Sequence, residues 1–112
     1  MKLFAATAFA TLLVSAAFAS GPLTPIGDLQ RGTMVTVAGT VERVTDEDEF
    51  ILADASGTVR VYVGPNWVPA NVGEAVTVDG FVDDDLFGPL EIYARSLTRA
   101  DGTVITFDRR YE

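Results

Sequence analysis

From Thr33 onward apolar and polar residues alternate along the chain. Val35, Val37, Gly39 and Val41 fall on one face and Thr36, Ala38, Thr40 and Glu42 on the other. A period of two predicts a long first strand, with Gly39 as its bend or bulge. The acidic run Asp46-Glu47-Asp48-Glu49 breaks that pattern, and Phe50-Ile51-Leu52-Ala53 reads as a short second strand. Asp54-Ala55-Ser56-Gly57 supplies a hairpin turn: Asp accepts backbone hydrogen bonds and Gly relieves the tight corner. In the third strand Val59, Val61 and Val63 point one way and Arg60 and Tyr62 the other, until Gly64-Pro65 ends it. A fourth strand spans Glu74 to Val82, with Val76, Val78, Gly80 and Val82 inward and Thr77, Asp79 and Phe81 outward. After the loop Asp83-Asp84-Asp85-Leu86-Phe87-Gly88, Leu90 to Leu97 alternates as a fifth. Asp101-Gly102 then turns Thr103 to Phe107 back as a short sixth.

Five strands, with one substantial break between the third and fourth, fit an all-β fold: a small five-stranded Greek-key barrel of the OB type, extended by that short extra strand. A sandwich of the immunoglobulin kind needs about seven strands. The expected core is Val35, Val37, Val59, Val61, Val76, Val78, Leu90 and Ile92. Arg60, on the outward face, is expected to tolerate a charge reversal that Val61 would not. Trp67, inside the long break, is expected to plug the open end of the barrel, because a buried indole hides a large apolar area. Gly21 to Gly27 carries two Pro and two Gly and reads as a linker arm, and Asp28 to Gly32 as one helical turn.

Ahead of the arm, Met1-Lys2 precedes an uncharged, mostly apolar run from Leu3 to Val14, and Ala17-Phe18-Ala19 matches a small-x-small cleavage site. The competing reading is a membrane anchor, for which this Ala- and Thr-rich stretch is at the short limit of about 17–25 residues. The resulting map is a signal peptide over 1–19, an arm over 20–32, the barrel over 33–107 and a polar tail over 108–112. That map predicts a periplasmic, exported protein with no stable membrane insertion once the signal is removed.

Composition then narrows the chemistry. The chain has no His and no Cys, which excludes Ser-His-Asp and Cys-His nucleophiles, Cys/His zinc sites, haem attachment and disulfides. Its formal charge is −8, and Lys2 is its only Lys, so the exported part is more acidic still. Such a surface repels nucleic acid and anionic lipid. Ser56 lacks a base and is accounted for by its turn, so no catalytic residue and no enzyme activity is expected.

Four stretches carry a resemblance. They are Val37-Ala38-Gly39-Thr40-Val41-Glu42-Arg43-Val44; Phe50-Ile51-Leu52-Ala53-Asp54-Ala55-Ser56-Gly57-Thr58-Val59-Arg60-Val61; and, after Trp67, Val76-Thr77-Val78-Asp79-Gly80-Phe81-Val82-Asp83 with Glu91-Ile92-Tyr93-Ala94. Over Thr33 to Leu97 the chain resembles the bacterial OB-fold (BOF) family of small exported proteins, which includes periplasmic stress-tolerance proteins. The most specific piece is the Asp-x-Ser-Gly turn followed by Trp67. The resemblance implies a ligand-binding module rather than an enzyme. The absence of Lys beyond Lys2 and the Asp101-Gly102 extension depart from the family pattern.

Two constellations are candidates for binding. The acidic loops Asp46, Glu47, Asp48, Glu49 and Asp83, Asp84, Asp85 follow strands one and four, which in an OB barrel flank one binding face. Carboxylates crowded there attract a cation, whether metal ion, polyamine or basic peptide of a protein partner. Asp83 and Asp85 have a spacing that calcium loops use, although no EF-hand is present. The competing reading is a pair of solvated loops that keep the barrel soluble. Tyr62, Phe81 and Tyr93 share the outward parity of strands three to five. They suit either cross-strand packing or, as an alternative function, the stacking of an oligonucleotide or oligosaccharide.

Overall fold

The computed structural model describes residues 21–107. The expected leader and the tail lie outside the described residues. Six strands follow one another: β1 (Met34–Asp46), β2 (Glu49–Asp54), β3 (Gly57–Tyr62), β4 (Ala75–Val82), β5 (Glu91–Thr98) and β6 (Val104–Thr106). Strand β1 pairs antiparallel with β4 through its first half and with β2 through its second. β4 pairs with β5, and a short parallel pairing of β5 with β3 closes the ring. This is the closed OB barrel, and β6 extends β5 beyond it.

The period-two pattern places the core as expected. Val37, Val41, Phe50, Leu52, Val61, Val78, Val82, Ile92 and Leu97 are fully enclosed. Val35 and Leu90 are half-buried and pack against this cluster. At Gly39, where β1 changes partners, a Cβ would sit 2.5 Å from the Ala53 carbonyl oxygen, so only hydrogen fits. The irregularities of β1 fall later, between Val41 and Arg43 and between Val44 and Asp46. On β4 the bulge against β5 lies between Asp79 and Gly80.

The arm differs from expectation. A 3-10 turn forms at Ile26–Asp28 instead of a helical turn at 28–32, and Ile26 and Leu29 are buried in the barrel core. The cause is the hairpin turn after β2. Asp54 Oδ1 accepts hydrogen bonds from the Ser56 and Gly57 amides and the Ser56 hydroxyl, while its Oδ2 accepts the Ile26 amide at 2.9 Å. Ser56 Oγ accepts the Gly27 amide at 2.8 Å. Thr24 donates to the Thr36 carbonyl, adding a bridge along β1. These contacts fold the segment onto the barrel, which therefore begins before residue 33.

Trp67 is also placed differently. Its side chain is 73% exposed, so it does not plug the barrel. The amide of Val68 donates to the Glu47 carbonyl at 2.9 Å and that of Val63 to the Asp48 carbonyl at 2.8 Å. These bonds fix the β3–β4 connection so that Val68 and Ala70 pack on the core in its place.

Candidate functional site

The outward residues line up in rows because neighbouring strands hold a fixed register. One row runs Asp46, Glu49, Tyr62, Tyr93, Phe81 and Met34 across β1, β2, β3, β5, β4 and back to β1. The rings of Tyr62 and Tyr93 meet edge to face, with centroids 5.9 Å apart at 81°. That geometry suits the aromatic quadrupole. All three rings are half-buried, so each keeps part of its surface open to solvent. The adjacent row is Arg43, Ile51, Arg60 and Glu91. Ile51 points outward by parity yet is buried, because it lies between two Arg whose long apolar stems cover such surface.

Glu91 is where the acidic elements meet. Its carboxyl is pushed up to about 7, first by burial, then by a hydrogen bond with Glu49 and the charges of Glu49 and Asp83, with Arg60 opposing. Arg60 Nε lies 3.5 Å from Glu49 Oε2, and the Asp83 amide donates to the Glu91 carbonyl at 2.8 Å. Two residues at the inner edges of the expected acidic loops, Glu49 and Asp83, therefore act on one carboxyl. Arg60 faces both Glu49 and Glu91 as a counter-charge, so a charge reversal there removes a partner that outward parity alone did not reveal.

Asp48 and the Tyr62 hydroxyl both crowd Gly64, and other loop carboxylates bond to nearby backbone. Asp46 Oδ1 accepts the Glu47 amide, Asp83 Oδ1 the Asp85 amide at 3.3 Å, and Asp85 Oδ1 the Phe87 amide at 3.0 Å. These are turn-forming bonds of short acidic side chains to nearby backbone. Asp46, Glu47, Asp84 and Asp85 are exposed and Asp48 is half-buried. Arg31 steadies the second loop by donating to the Asp85 and Gly88 carbonyls at 2.6 and 2.9 Å. Among the described residues no three acidic groups gather closely enough to hold a metal ion. Phe87, at the tip of that loop, is almost wholly exposed.

Glu91, Arg43 and Ile51 escaped the sequence reading. Glu91 is an isolated acid whose neighbours come from β2, β3 and the loop after β4. Only the parallel β3–β5 register brings it beside Arg60. The alternation of β5 did mark Glu91 as outward, which was the one signal available.

A family model described as Bacterial OB fold (BOF) protein matches residues 24–105. The solved structure of the hypothetical protein ygiW from E. coli is similar, with a TM-score of 0.60 and 27% identity. That alignment covers 73% of this chain and 94% of that one. Telomere capping protein Ten1 from Saccharomyces pombe aligns with a TM-score of 0.47 and 19% identity over 72% of each chain. No curated protein sequence matches the chain.

Proposed function

The chain belongs to the bacterial OB fold (BOF) family, and from that premise we propose that it is an exported, periplasmic binding module, non-enzymatic and stress-related, that takes a cationic ligand on the outer face of β3, β5 and β4. The observation that carries this reading is the row of Tyr62, Tyr93 and Phe81 with Glu49 at its end and Glu91 and Asp83 beside it. Ring faces attract cations within about 6 Å of their centroids, and carboxylates add directional acceptors.

That combination favours an organic cation, a polyamine or the basic side chains of a peptide, over a bare metal ion. A hard cation such as calcium requires about six to eight oxygen ligands. The formal charge of −8 works against an oligonucleotide on the same rings. Calorimetry at low salt with spermidine, a basic peptide and calcium tests the reading. Heat from spermidine or the peptide that is reduced by Tyr62→Ala and Tyr93→Ala is the expected result. No heat from any of the three overturns it.

A further inference from the structure

The barrel closes along a seam of three register pairs, Arg60 with Glu91, Val61 with Ile92 and Tyr62 with Tyr93. β1–β2, β2–β3 and β1–β4 are each held by longer ladders. At the first pair of this seam stands a charge cluster drawn from every element packed there. Glu49 comes from β2, Arg60 and, two residues on, Tyr62 from β3, and Asp83 from the loop after β4. We infer that Glu91 holds a proton against Glu49 at the β3–β5 seam, and that losing this proton loosens the closure of the barrel.

With the proton in place, one carboxyl donates to the other and Arg60 offsets the remaining charge. Without it, Glu49, Glu91 and Asp83 surround a single guanidinium, and like charges at close range disfavour the pairing. Separating β5 from β2 and β3 relieves this repulsion. The short parallel pairing is the part of the ring that yields first, since opening it breaks the fewest backbone bonds. The sign follows from linkage. An acid whose carboxyl titrates higher in the folded state than in the unfolded chain contributes stability below the unfolded value, about 4.3. That contribution is lost as pH rises through about 7.

The test is amide hydrogen exchange across pH 5.5–8.5, expressed as protection relative to the intrinsic rate. Residues 60–62 and 91–93 should lose about tenfold in protection over this range while β1–β2 amides hold theirs. The figure is well below the unscreened effect because the cluster is half open to water. Glu91→Gln should flatten the profile, since the amide keeps a hydrogen bond and has no proton to lose. Protection that stays level in the wild-type protein overturns the proposal. So does a Glu91 carboxyl carbon resonance that titrates as an ordinary Glu, a measurement that needs no variant.

Discussion

Trp67 and Phe50 make opposite demands on the fold, although a reading of apolar content alone would rank the indole first. Trp67 is 73% exposed and Phe50 is fully enclosed. Replacing Trp67 by Ala removes little surface hidden from water and should change stability by about 0.5 kcal/mol or less. Replacing Phe50 by Ala leaves a cavity beside Leu52 and Val61, its neighbours along β2 and across on β3 in the core, and should cost about 3–5 kcal/mol. Urea unfolding followed by far-ultraviolet circular dichroism measures both without relying on the indole. With a slope of roughly 1–2 kcal/mol per molar for a small domain, the Phe50→Ala midpoint should fall by about 2 M or more. The Trp67→Ala midpoint should stay within a few tenths of a molar of wild type on the same slope. If Phe50→Ala does not fold, Phe50→Leu, costing roughly 1 kcal/mol, restores a measurable transition. The indole also reports directly, because an exposed Trp emits at nearly the same wavelength before and after unfolding. A Trp67→Ala loss above about 2 kcal/mol, or a native emission shifted well to the blue, would refute the placement of this side chain and with it the role given to Val68 and Ala70.

Three further outcomes concern charge. Val61→Asp should abolish folding by burying an unpaired charge, and Arg60→Asp should also destabilise, more at pH 8 than at pH 5, because it adds a fourth acid to Glu49, Glu91 and Asp83; equal melting temperatures of Arg60→Asp and wild type at pH 8 would contradict the cluster. Glu74 is held down to about 2 by its hydrogen bonds with Arg99, at 2.9 Å each, and with the Asn71 and Ala100 amides. Its depressed value means a contribution present above the unfolded value of about 4.3 and lost as pH falls through about 2. Wild type should therefore exceed Glu74→Gln in thermal stability at neutral pH, and the two should converge in strong acid. A gap that persists at pH 2 would mean that the pairing charge is not its source.

What the sequence made legible was whatever depends on residues near one another in the chain. Alternation named the inward sets of β1, β3, β4 and β5 because side-chain direction in a strand is local. The Asp54-x-Ser56-Gly57 turn was readable because its bonds close within three residues. Features that depend on register or on distant partners were hidden. Ile51 has outward parity and is buried by what lies on the neighbouring strands. Ile26 and Leu29 sit in a stretch without periodicity and enter the core because a turn some thirty residues later captures them. Glu91 lies outside the acidic runs, and the parallel seam that gives it its company has no sequence signature. Only Glu49 and Asp83 of the predicted acidic loops reach that group.

The capture of Ile26 and Gly27 by Asp54 and Ser56 has a temporal side. The arm leaves the ribosome before every strand, yet its anchors lie 28 and 29 residues further along. It must wait for β2, the turn and β3 to be present. A segment that precedes every strand is thus among the last to be fixed, and until then Ile26 and Leu29 stay in water. A chain interrupted before Ser56 keeps only the bridge of Leu23 and Thr24 to Thr36 on β1, without the anchors at Asp54 and Ser56. Completion of the hairpin commits the N-terminal segment to the fold, so the order of synthesis and the order of assembly run in opposite directions at this end of the molecule.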